Sequence, residues 1–93
     1  MKVEIVSPEG KLLDSQAELV SLPGVHGAFE ILDNHAPLIA LLGKGIIRIK
    51  GKKVQIDEDV ESKFERMKDE VRLKINGGTV EVNNNRVIIL VEL

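Results

Sequence analysis

Apolar and polar residues alternate with a period of two along most of this chain, the pattern of half-buried β-strands. Val3 and Ile5 share one face of a strand expected over Lys2 to Val6. Ser7-Pro8-Glu9-Gly10 then reads as a turn, because proline presets φ at the second position and glycine completes the reversal. Lys11 to Asp14 is a second short strand. Ala17, Leu19 and Ser21 alternate with Glu18, Val20 and Leu22 until Pro23-Gly24. Beyond a turn at Gly27, Phe29, Ile31 and Leu32 form another strand, broken by Asp33-Asn34-His35-Ala36-Pro37. Leu38 to Leu42 resumes the apolar run up to Gly43-Lys44-Gly45, and Ile46 to Lys50 is the sixth strand.

The C-terminal third is the clearest. Val71, Leu73 and Ile75 alternate with Arg72 and Lys74, and Asn76-Gly77-Gly78 supplies the residues of a hairpin turn before a strand over Thr79 to Asn83. Asn84-Asn85 makes a second tight turn, since asparagine tolerates left-handed φ, and Arg86 to Glu92 closes the sheet. Between these regions the rhythm changes. Val60, Phe64, Met67 and Val71 recur at helical spacing among charged residues, so Asp57 to Glu70 is expected to form a short helix docked on the sheet, or a solvated charged excursion. Strands separated by Gly, Pro, Asn and Asp every roughly eight to twelve residues predict an all-β sandwich or barrel.

The chain has 93 residues, enough for one core and too few for two, so residues 1–93 are read as a single domain. It contains no cysteine, which removes disulfides, thiolate metal ligands and a thiol nucleophile, and leaves the cytoplasm as the expected compartment. Glu4 interrupts the region where a signal peptide would be apolar, and the run from Ala36 to Leu42 is too short and too proline-broken to cross a bilayer. Membrane association is therefore expected only through a partner. Thirteen Lys and Arg against fifteen Asp and Glu, with Phe29 and Phe64 the only aromatics, argue against a nucleic-acid binder, which needs clustered cations and stacking rings.

Candidate chemistry is sparse. His26 and His35, with Glu30 and Asp33 close in sequence, permit a metal or small-ligand site built on His26, Glu30 and His35, the alternative reading. No second pair at ligand spacing accompanies the histidines, and His35 is better read as ordering the turn before Ala36-Pro37. Ser7, Ser15, Ser21 and Ser62 lack a nucleophile-elbow context, and the glycines form neither a P-loop nor a dinucleotide fingerprint. Catalytic, cofactor and metal residues are accordingly expected to be none. What turns and core strands leave unexplained is the density of apolar side chains from Leu22 to Gly45, which points to a surface gripped by protein partners.

That same stretch carries a resemblance. Leu22-Pro23-Gly24, Gly27, Phe29, Ile31-Leu32 and Asn34-His35-Ala36-Pro37-Leu38, followed by Leu41, Gly43 and Gly45, resemble the signature of the epsilon subunit of bacterial F-type ATP synthases. Val6-Ser7-Pro8-Glu9-Gly10 and Gly77-Gly78-Thr79-Val80-Glu81-Val82 extend it over the chain, except for Asp57 to Glu70.

The resemblance implies a flattened antiparallel β-sandwich of about ten strands at the foot of a rotary central stalk. It implies a non-catalytic role, coupling proton-driven rotation of the c-ring to the gamma subunit, with no cofactor and with peripheral attachment at the cytoplasmic face of the inner membrane. By position, Ser7, His35, Leu38, Ile39 and Ala40 are expected to meet the gamma subunit, and Gly27, Ala28, Phe29 and Glu30 the c-ring loops. Ala28 stands where an acid is usual, Glu30 where glycine is usual and Asp33 where proline is usual, so Glu30 offers a displaced carboxylate to the ring. Many such subunits continue into a helical hairpin that inhibits hydrolysis or binds ATP, and a chain ending at Leu93 is expected to do neither.

Overall fold

A computed structural model describes all residues from Met1 to Leu93. Ten strands form: β1 (Lys2–Ser7), β2 (Gly10–Gln16), β3 (Leu19–Gly24), β4 (Gly27–Leu32), β5 (Leu38–Leu42), β6 (Gly45–Lys50), β7 (Phe64–Met67), β8 (Glu70–Ile75), β9 (Gly77–Asn83) and β10 (Arg86–Glu92). They make one curled sheet with two halves. A front half runs β2-β1-β10-β9-β5 and a back half β4-β3-β6-β8-β7, and the two join where Gly24 of β3 pairs with Leu42 of β5. One cluster of 21 buried residues draws on both halves, so there is a single core. Val3, Ile5, Val80, Val82, Val87 and Ile89 enter it from the front, and Val20, Leu22, Ile31, Ile47, Ile49, Val71 and Leu73 from the back. The molecule is flattened, with extents of 31 × 26 × 21 Å.

Three expectations need correction. The sandwich is mixed rather than wholly antiparallel, because the first and last strands pair in parallel, with Val3 opposite Val87 and Ile5 opposite Ile89. Periodicity reports which residues face the core and carries no information on the direction of a distant partner.

Asn76-Gly77-Gly78 is not a hairpin turn. β8 pairs with β6 and β7, whereas β9 pairs with β10 and β5, so the chain passes from the back half to the front half at Asn76. Gly78 is needed for close approach: a Cβ there would lie 2.1 Å from the Leu90 carbonyl oxygen.

Asp57 to Glu70 forms no α-helix. Glu58–Lys63 is a single 3-10 segment whose N-cap, Asp57, makes no side-chain capping bond, and Phe64–Met67 is strand β7. The acids Glu58, Asp59 and Glu61 crowd its first turn. A two-turn helix has too few internal bonds to stand alone, whereas a hairpin onto β8 satisfies the backbone over four residues. Asp69, at φ 58°, makes that reversal. Val60 and Phe64 still pack against the core, so the apolar spacing had a packing role in a different local structure.

Candidate functional site

The outward face of the front half carries exposed apolar side chains beside its charged ones. Inward positions on β5 alternate with outward ones, which leaves Ile39 77% and Leu41 62% exposed while Leu42 is buried. Register then lines up side chains across four strands: Leu41 lies opposite Thr79, Thr79 opposite Leu90, and Leu90 opposite Val6. Leu90 is itself 52% exposed. Ile39 belongs to the neighbouring row, opposite Glu81, which faces Ile88. Covering a large aliphatic side chain stabilises by roughly 1.5–3 kcal/mol, so a row of this kind favours association.

At the edge of this face a groove of about 480 Å³ opens between the β3–β4 turn and β5, lined by Gly24 to Phe29 and Leu38 to Leu41. Two backbone bonds hold its walls together: the Val25 amide donates to the Leu41 carbonyl at 3.1 Å, and the Gly43 amide to the Pro23 carbonyl at 2.8 Å. Gly24 has to be glycine, since a Cβ there would lie 2.7 Å from the Gly27 carbonyl oxygen and 2.8 Å from the Phe29 ring. Only His26 brings a titratable side chain to the groove.

The Asn34-His35-Ala36-Pro37 segment is a built turn rather than a reactive one. Asn34 adopts left-handed φ (62°), and its amide donates to Asn85 Oδ1 at 2.7 Å, tying this loop to the β9–β10 turn. The His35 amide donates to the Leu32 carbonyl at 3.2 Å, and His35 Nδ1 lies 2.7 Å from the Ala36 carbonyl oxygen. The imidazole therefore orders the backbone ahead of β5, as its sequence context indicated. Asp33 Oδ1 lies 2.6 Å from the Met1 amino group, which gives the acid at this position a structural partner.

The structure brings Gly27, Ala28 and Phe29 together with Leu38, Ile39 and Ala40 as the two walls of one groove. Glu30 is exposed and lies opposite Ser21, away from that groove. Ser7 is buried, its hydroxyl donating to the Gly10 carbonyl and accepting from the Glu9 amide, both at 3.3 Å. Its turn borders a hollow shared with Thr79 and Leu90, on the apolar face. Leu38 and Ala40 pack against the core, so among the β5 residues picked out from sequence only Ile39 turns fully outward. Leu41, Thr79, Leu90 and Val6 were not singled out, because their alignment depends on the β5–β9 and β1–β10 pairings. His26 sits at the tip of the β3–β4 turn and His35 beyond the far end of β4, and no three His, Asp or Glu side chains converge. Two carboxyls lie below their ordinary range: Glu70, held down chiefly by the hydrogen bond from Arg72, and Asp14, chiefly by that from Lys11.

The fold defines a small β-sandwich domain, and its front half presents an exposed apolar row beside a groove. Residues 1–93 match the ATP synthase delta/epsilon chain β-sandwich domain, and the chain belongs to that family. It is 37% identical over 93 residues to the ATP synthase epsilon chain of Leptospira interrogans, covering 99% of this chain and 61% of that protein. To the epsilon chain of Desulfitobacterium hafniense it is 40% identical over 90 residues, covering 97% and 57%. The chain thus spans about three fifths of the length of these relatives. Its fold is shared with a chain in the Tetrahymena thermophila mitochondrial ATP synthase central stalk and c-ring structure (TM-score 0.69, 15% identity, covering 100% of this chain and 63% of that one). A chain in the Euglena gracilis mitochondrial ATP synthase also shares it (TM-score 0.71, 16% identity, covering 96% and 48%).

Proposed function

We propose that this domain is a non-catalytic rotor component of an F-type ATP synthase that couples rotation of the c-ring to the gamma subunit. The observation that carries the reading is the exposed row Leu41–Thr79–Leu90–Val6 with Ile39 beside it, on a domain of the delta/epsilon family. Gamma occupies this face, and the Gly27-Ala28-Phe29 turn at the groove meets the ring loops. A single core shared by both sheet halves resists shear, which a torque-bearing clamp needs. Attachment to the membrane is peripheral and runs through the complex at the cytoplasmic face; no helix is long and apolar enough to cross a bilayer. ATP binding is not part of this role.

The test is recovery from native membranes. The chain should co-purify with a gamma-like subunit and the ring, across an interface of roughly 1,200 Å² or more. The double variant Ile39→Asp/Leu41→Asp should be recovered without gamma. Retention of gamma by that variant would remove the proposed face.

A further inference from the structure

The two halves of the sheet join through β3 and β5, whereas the strands at the two ends of the order, β2 and β7, share no ladder. Between those end strands runs the segment from Gly51 to Lys63. No backbone–backbone hydrogen bond holds residues 52 to 56, so side chains have to. The Gln55 amide donates to Ser15 Oγ of β2 at 3.0 Å, and Arg66 Nη1 of β7 donates to the Val54 carbonyl at 3.3 Å. Two consecutive residues thus reach the first and the last strand of the order.

Both grips are built. Ser15 is buried, and its hydroxyl donates to the Gln16 carbonyl at 3.0 Å while its acceptor side takes the Gln55 amide. Arg66 uses its fork twice, with Nη1 on Val54 and Nε 3.5 Å from Glu61 Oε1 in the 3-10 turn. Val54 is buried beside Gly51 and Ala17: a Cβ on Gly51 would meet Val54 Cγ2 at 3.3 Å and Ala17 Cα at 3.4 Å. Ile56 and Val60 pack against the core further on, so the segment fills the edge that no strand pairing closes.

We infer that Gly51 to Lys63 is a strap that closes the open edge of the sandwich, latched by Ser15 on the front half and Arg66 on the back half, and that it opens as one unit while the rest of the fold stays shut. A stretch with few hydrogen bonds and partly buried apolar side chains belongs to the low-stability end of a fold, where local opening precedes global unfolding. Release of the latch frees Val54, Ile56 and Val60 together, because nothing else ties residues 52 to 56 down. The closed strap limits how far the two halves can gape, whatever partners the faces meet.

Native-state amide hydrogen exchange on the full chain tests this. In Ser15→Ala and in Arg66→Ala, the Val60 amide should exchange roughly tenfold faster than in the parent, although neither substitution touches its own bond to the Asp57 carbonyl. The Val25 and Gly43 amides, which bond to Leu41 and Pro23 beside the seam, should keep their parent rates. Arg66→Lys, which keeps the charge without the fork, should fall between parent and Arg66→Ala. Arg66 is exposed, so Arg66→Ala keeps the test open where Ser15→Ala fails to fold. An unchanged Val60 rate in Arg66→Ala overturns the inference, since the strap would then not open as a unit. Acceleration at Val25 and Gly43 equal to that at Val60 also overturns it, because the loss would then be global.

Discussion

Gly24 and Leu42 form the one paired position through which the two halves of the sheet meet. Because a Cβ at Gly24 would press on both the Gly27 carbonyl and the Phe29 ring, the seam and the groove wall depend on the same missing side chain. Gly24→Ala is expected to destabilise by about 1–3 kcal/mol through overpacking. Gly43→Ala is the control, since a Cβ there meets nothing closer than 3.9 Å. Thermal melts of the two variants compare them directly, and an equal loss would place the cause outside this contact.

Stability and partner binding should separate along β5. Ile39→Asp and Leu41→Asp alter exposed positions and should change unfolding free energy by no more than about 0.5 kcal/mol while removing gamma binding. Leu38→Asp is different, because Leu38 is partly buried against the core and the substitution removes that packing and places a carboxylate beside it, so stability should fall as well. Denaturant midpoints measured beside pull-downs distinguish the two classes.

The link between Asn34 and Asn85 offers a test of the Asn34-His35-Ala36-Pro37 turn. Asn85→Gly keeps the left-handed φ of 59° and removes the Oδ1 acceptor; because Asn34 is exposed and water can meet its freed amide, the cost should be about 0.5–1 kcal/mol. Asn85→Asp retains an acceptor and should recover most of the loss. Amide hydrogen exchange at Asn34 reads the bond itself, and exchange unchanged in Asn85→Gly would contradict its role.

Acid sensitivity should trace in part to Glu70, whose carboxyl is held low first by the Arg72 hydrogen bond and then by the charges of Arg72, Arg48 and Lys50. A carboxyl with a lowered folded value contributes stability that is present above the ordinary range near about pH 4.3 and is lost as pH falls through the folded value. Glu70→Gln should therefore lower stability at neutral pH and flatten its decline below about pH 4. Melting temperatures of parent and variant across that range check the sign.

Alternation of apolar residues located every strand except β7, and turn chemistry located Ser7 to Gly10, the Asn34 segment and Asn84-Asn85. Those features are local, set by side-chain direction and by φ. β7 was missed because Phe64 and Met67 fall at a spacing that a helix would also use, and only the pairing of Phe64 with Leu73 settles it. The Asn76 crossover was read as a hairpin because a turn composition does not reveal which strands it joins. Within the proposed surface, Ile39 and the Gly27 to Phe29 turn were picked out from the motif, whereas Thr79, Leu90 and Val6 come together only once distant strands are in register.

The parallel pairing of β1 with β10 has a consequence for synthesis. The back half is drawn from a continuous stretch of chain, from Leu19 to Ile75, with β5 the only strand in that span assigned to the front. The front half needs β10 between β1 and β9, and β10 is the last of these ten strands to be synthesised. The back half can close while translation continues, but β1 waits for a neighbour more than eighty residues away, as the pairing of Lys2 with Arg86 shows. A pairing so distant in sequence forms late compared with the local hairpins, and a nascent chain stalled before Arg86 would leave one edge of β1 without its β10 partner and open to chaperones.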